Sequence, residues 1–277
     1  GSSSKIPGVA TVVRPWTRRP SARGDRLRYG RSVPKGLRPS GRLALTPPIP
    51  RRYCAPMRLF ERILFGLFII WSAVGAVTLG LRQFALPPWI SWADAFFMLL
   101  AAANVLLAMA RRDGWPDTLK SFAIIAIGSG IVETVGATTG RPFGPYEYTP
   151  FFGPRIAGIL PIAIPLAWYA VLGTGHYLVF HWLKLGSRRV NALAVAAWAT
   201  AFDFVLEPFA AYVKSYWIWH TPDIPAQNYL AWFLVAFVLA RLSPWGRGPI
   251  DRFDPRPATA AASLLLLFAA GRIAAGV

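Results

Sequence analysis

Seven stretches of this chain are long and apolar enough to leave it few folds: residues 60–81, 92–110, 119–138, 157–183, 190–212, 228–242 and 258–276. About 20 predominantly apolar residues cross the hydrocarbon core of a bilayer as a helix. Inside lipid, only helices and closed barrels satisfy every backbone N–H and C=O. These stretches are too long for strands and do not alternate apolar with polar residues, which excludes a barrel. The chain is therefore read as an all-α integral membrane protein of about seven transmembrane helices. Pro161 and Pro165 fall within the fourth stretch and predict a kink there. The sixth stretch is short, and the Ala-rich seventh is the weakest span by composition.

A net charge of +18 invites a nucleic-acid reading, but its distribution argues otherwise. Residues 1–56 hold 13 Lys and Arg against one acid, Asp25. They are rich in Pro, Arg and Ser and lack apolar periodicity. No apolar core follows their charges, so they are not a signal peptide. They read as a basic disordered tail, with Met57, the first methionine, a candidate for the true start; residues 57–277 form the membrane domain. A basic arm for nucleic acid or anionic lipid is the other reading of these charges. Charge confined to such a tail says little about partners, and no nucleic-acid partner is expected. Cys54, the one cysteine, also lies here, which excludes an intramolecular disulfide or a cysteine metal site.

Basic residues at the span ends set orientation. Twelve fall on one side (Arg58, Arg62, Arg111, Arg112, Lys120, Lys184, Arg188, Arg189, Arg241, Arg247, Arg252, Arg256) and five on the other (Arg82, Arg141, Arg155, Lys214, Arg272). The membrane domain should start in the cytoplasm, as a multi-pass protein of the bacterial inner membrane.

Four acids stand in or at the ends of these apolar stretches: Asp94, Glu133, Asp203 and Glu207. An acid at a bilayer centre costs about 2.5–3.5 kcal/mol on insertion scales, so its presence points to function. A helix–helix hydrogen bond is the structural alternative. The predicted topology puts Glu133, Asp203 and Glu207 in the outer halves of spans three and five, with Asp94 near the outer end of span two. The two longest Gly, Pro and aromatic loops, 139–156 and 213–227, lie on that same side. Asp203 and Glu207 are four residues apart and share a helix face. Two carboxylates so close in low dielectric resist joint ionisation, and an acid beside a carboxylate is the pairing used for general acid and base work.

The segment 140–154 (GRPFGPYEYTPFFGP) carries turn-forming Gly and Pro among dense aromatics. For Tyr146 and Tyr148, beside Glu147 and Arg141, a re-entrant lid over a pocket is at least as good a reading as an interfacial aromatic belt, whereas Phe151 and Phe152 read as that belt. Tyr212, Tyr216, Trp217 and Trp219 form a second aromatic set after Glu207. His176 and His181 are five apart and His220 is in a loop, with no HxxxH, HExxH or ExxH spacing, so no metal site is expected. GxGxxG, Walker and nucleophile-elbow motifs are also missing, and no cofactor is expected.

Residues 133–149 (ETVGATTGRPFGPYEYT), 203–208 (DFVLEP) and 224–233 (IPAQNYLAWF) resemble the carotenoid biosynthesis family of membrane carotenoid 1′,2′-hydratases and bisanhydrobacterioruberin hydratases. The resemblance covers about residues 60–245, and its most specific part is the ExxGxxTGxPFGxYxY run; Ala231 stands where the family suggests a Gly. It implies addition of water to the terminal double bond of an acyclic carotenoid of lycopene or γ-carotene type, without redox change or cofactor. A neutral carboxylic acid would protonate the alkene, and aromatic faces would stabilise the tertiary cation. Water positioned by a second carboxylate or by Asn228 would then attack. The resemblance does not assign these roles; from the residues themselves, Asp203 or Glu207 is the expected proton donor and Glu133 the water-orienting partner. Asp94 is a supporting candidate, and Arg141 is expected to pair with a carboxylate. Tyr146, Tyr148, Trp217 and Trp219 are expected to line the cation pocket. A cofactor-free cyclase or isomerase needs the same acid and aromatics. A proton-coupled transporter fits less well, since no internal repeat is visible.

Overall fold

The computed structural model describes residues 55–82, 88–183, 185–246 and 253–277. The expectations for the tail, for Cys54 and for Lys184, Arg247 and Arg252 lie outside these residues. Seven helices follow in order: α1 (Ala55–Gly80), α2 (Trp92–Asp113), α3 (Trp115–Thr139), α4 (Ala163–Leu178), α5 (Arg188–Pro208), α6 (Ala226–Leu242) and α7 (Pro255–Ala275). Six are long and apolar enough to cross a membrane, α4 and α5 once their π-helical ends are included, and α6 is a shorter apolar helix. The chain is an all-α membrane protein.

α2 and α4 are buried along most of their length, whereas α1 and α3 turn most of theirs outward. Small residues make the central packing close: Ala95, Ala101, Ala102 and Ala108 of α2 are buried, and such residues let helix backbones approach within a membrane. Ile127, Ile131, Phe204, Leu266 and Ile273 are exposed apolar side chains, the surface a lipid-facing bundle presents. At one end of the bundle α1, α2 and α7 are tied by charge. Buried Glu61 meets Arg111, and Arg256 Nη1 lies 3.6 Å from Glu61 while its Nε donates to Asp254 at 2.9 Å.

The predicted kink in the fourth span is not present as such. Pro161 lies before the helix, in a two-residue strand β3 (Leu160–Pro161) paired with β2 (Arg155–Ile156), and α4 starts only at Ala163. Pro165 then sits in the first turn, where a missing N–H breaks no helical bond. The irregularity comes instead at the other end, where residues Val179–Leu183 wind as a π-turn. Pro208 has a comparable effect on α5. It cannot donate to the preceding turn, and the chain widens into a π-turn over Phe209–Val213.

The two aromatic loops meet in a short antiparallel ladder between β1 (Tyr146–Tyr148) and β4 (Trp217–Trp219), with Tyr146 opposite Trp219 and Tyr148 opposite Trp217. Two further backbone bonds lengthen it, His220 N to Pro145 O and Thr149 N to Tyr216 O, both 2.9 Å. Alternation along a strand sends residues i and i+2 to one face. Glu147 and Ile218 accordingly face out, while the two tyrosines and Trp217 are buried and Trp219 is half-buried beside them.

Candidate active site

Glu133 stands two turns before the end of α3, and the left-handed Gly140 (φ 72°) then folds the chain back under the helix. This return carries Tyr146 and Tyr148 onto the Glu133 carboxylate, donating to Oε2 at 2.8 and 2.6 Å. From α4, Trp168 Nε1 donates to Oε1 at 2.7 Å. Burial, and after it the charge of Glu133, pushes both phenols well above the ordinary tyrosine range, so they remain O–H donors. Gly136, one turn after Glu133, makes the return possible. A Cβ there would come within 2.7 Å of Phe143 and 3.0 Å of the Tyr146 hydroxyl.

Glu207 has an equivalent set of donors. Trp217 and Trp219 donate through Nε1 to its Oε2, each at 3.1 Å, and Asn228 Nδ2 donates to its Oε1 at 3.0 Å. The same Asn228 amide donates to Asp203 Oδ2 at 2.9 Å, so one side chain from the first turn of α6 bridges the two acids of α5. The other Asp203 oxygen is buried without a hydrogen-bond partner. Every donor on Glu207 is an N–H, which can give a hydrogen bond but never accept one.

Glu133 and Glu207 both open onto a cavity of about 250 Å³. Aromatic faces dominate that wall: Tyr146 packs against Tyr148 at 5.3 Å and Trp219 at 5.2 Å, and Tyr148 lies edge-on to Trp217 at 6.2 Å. Below them Trp168 stacks on Trp232 at 3.8 Å, and Phe97, Val171, Phe202 and Phe268 complete an apolar interior. Asp203 is fully buried and stands behind Glu207, outside the lining. The structure thus brings Glu133, Glu207, Asn228, Tyr146, Tyr148, Trp217 and Trp219 to one cavity, with Asp203 joined through Asn228.

Asp94 lines the same cavity but engages Lys214, whose Nζ is 2.9 Å away. Arg141 is exposed beyond the end of α3, outside the cavity lining, so the structure does not carry it to the carboxylates. Neutral N–H and O–H donors hold those acids instead. Phe152 also departs from expectation. Thr149 caps a short turn over Pro150–Phe152 that points Phe152 inward, where it stacks on Tyr216 at 4.1 Å rather than joining an interfacial belt. Sequence reasoning missed Trp168, Lys214 and Trp232. A signal for Trp168 was available, since an indole N–H in an apolar span needs an acceptor and the acids at its depth supply one. Among the described residues no group of three His, Cys, Asp or Glu side chains is arranged to hold a metal ion.

Bisanhydrobacterioruberin hydratase of Haloarcula japonica is 31% identical to the chain over 197 residues, covering 66% of this chain and 64% of that protein. The chain thus matches somewhat less than two thirds of that relative's length. No solved structure matches the chain. The family model for carotenoid biosynthesis protein matches residues 93–275, which run from α2 through α7 and include all four acids. The chain belongs to the carotenoid biosynthesis protein family.

Proposed function

We propose that this protein is a carotenoid hydratase, adding water across the terminal C1′–C2′ double bond of an acyclic carotenoid end of lycopene or γ-carotene type. The observation that carries the proposal is a pair of carboxylates, Glu133 and Glu207, each fixed by three donors and both facing one apolar, aromatic-walled cavity. The hydratase named among its relatives supports the same chemistry.

In the proposed reaction Asp203 and Glu207, bridged by Asn228, hold one proton between them. Glu207, the member facing the cavity, gives it to C2′, the less substituted carbon. The positive charge then rests on C1′, where the faces of Tyr146, Tyr148, Trp217 and Trp219 stabilise it. Glu133 orients a water and takes its proton as the oxygen bonds to C1′. The product is a tertiary alcohol, and one proton moves from Glu133 back to the pair to close the cycle. General acid and general base catalysis each contribute about 10²–10⁴-fold. Addition of water changes no net oxidation state, so the chemistry calls for no redox cofactor. The substrate is lipid-dissolved, in keeping with a site inside a helical bundle. The excess of Arg at the opposite end supports a cytoplasmic start for the membrane domain, with the site toward the outer leaflet of a bacterial inner membrane.

Expression in a lycopene-producing host tests the proposal. The expected pigment is heavier by one water and more polar. A new pigment of unchanged mass would favour a cyclase or isomerase on this scaffold, and no new pigment would count against both.

A further inference from the structure

A cavity of about 250 Å³ is smaller than the pockets of about 300–1,000 Å³ that enclose drug-sized ligands. An acyclic carotenoid is a rod many times longer than it is wide, so only its end group fits. The rest of the polyene must leave through a wall. The lining side chains are buried or half-buried, with one exception among the described residues: Val74 of α1, which lines the cavity and is 51% exposed on the outer face of the bundle. Trp71, Val74, Gly75 and Thr78 line the cavity along one stripe of α1, the spacing of a single helix face. On the α2 side Trp71 closes the seam, donating through Nε1 to Ala93 O at 3.2 Å and packing on Phe96. On the α7 side Gly75 has no side chain, and a Cβ there would meet only Leu267 at 3.7 Å.

We infer that the wall between α1 and α7, at Val74, Gly75 and Leu267, is a lateral portal through which the polyene lies in lipid while its end reaches Glu133 and Glu207. The inference rests on the hydratase reading for the identity of the occupant. The portal makes Val74 and Gly75 determinants of substrate length, selecting long chains that the bilayer holds in line with the opening.

Two measurements test it. Val74→p-benzoylphenylalanine in protein reconstituted with lycopene should crosslink the pigment under light, and Ile69→p-benzoylphenylalanine should not, because Ile69 is exposed on the opposite face of the same helix and outside the lining. This readout needs no turnover, so it judges the portal even if no hydration occurs. Equal capture at both positions, or none at position 74, overturns the portal. In the second, Val74→Trp and Gly75→Leu should lower the ratio of kcat/KM for lycopene over β-farnesene, a short hydrocarbon with the same terminal alkene, by about tenfold or more. An unchanged ratio overturns the portal as well. Hydration of neither substrate by the unsubstituted protein counts against the hydratase reading alone.

Discussion

Gly136→Ala places a methyl group where the site has no space for one. The new Cβ would stand 2.7 Å from Phe143 Cδ2 and 3.0 Å from the Tyr146 hydroxyl, against an ordinary contact of 3.4–4 Å. Phe143 is buried at 2% exposure and cannot swing into solvent, so the returning loop must move outward. Overpacking of this kind costs about 1–3 kcal/mol of stability. The specific consequence is at Glu133, because the displaced Tyr146 gives up its 2.8 Å bond to the carboxylate. A hydrogen bond to a charged group is worth about 1.5–3 kcal/mol, or about 10–150-fold in rate if the bond persists in the transition state. The assay is carotenoid hydration per mole of folded protein in membranes. Tyr146→Phe removes the same bond and should lose a similar amount. Because both changes break one interaction, the double variant should be little worse than either alone, with a coupling energy near the value of the bond. Full activity in Gly136→Ala, or losses that multiply in the double variant, would refute the claim that Gly136 exists to seat Tyr146 on Glu133.

Trp168→Phe keeps an aromatic ring against Trp232 but removes the N–H on Glu133 Oε1; kcat should fall about 10–100-fold, and the carboxylate oxygen left without its donor should cost about 1–3 kcal/mol of stability. Glu133→Gln and Glu207→Gln should each lower kcat by about two to four orders of magnitude. Asp203→Asn, one layer behind the cavity, should cost less while changing the pH profile of kcat, because it alters the proton shared with Glu207. Glu61→Gln takes from Arg111 and Arg256 the buried carboxylate they share, while Arg256 keeps its pairing with Asp254. It should destabilise the bundle by about 1–3 kcal/mol, read by thermal unfolding in detergent, without touching the cavity.

The helices were legible because apolar length alone specifies them. The predicted stretches 92–110, 190–212 and 228–242 fall inside α2, the extended α5 and α6. The convergence of the acids was legible too, since alternating spans bring together the helix ends that carry Glu133, Asp203 and Glu207, and Glu133 and Glu207 line one cavity with Asp203 joined through Asn228. The start of the fourth helix is not legible in hydropathy, because Pro161 and Pro165 break no apolar pattern, although one precedes the helix and the other sits in its first turn. The β1–β4 ladder was not legible. Its strands are three residues each, their partners are about 70 positions apart, and no hairpin turn joins them. That pairing nevertheless decides which aromatics reach the acids. Arg141 was assigned by charge to a carboxylate, but the acids are served by indole, phenol and amide donors. Neutral donors can hold a carboxylate in an apolar interior without bringing in a second charge to desolvate.

In the proposed reaction water adds to an acyclic carotenoid end within the Glu133–Glu207 cavity. Purified protein in lipid, supplied with lycopene in heavy-oxygen water, measures this directly. The hydratase assignment predicts a product heavier by one water whose hydroxyl carries the heavy isotope, formed by the unsubstituted protein and lost in Glu133→Gln and Glu207→Gln. A product without the labelled oxygen, or equal labelling in the two glutamine variants, would contradict it.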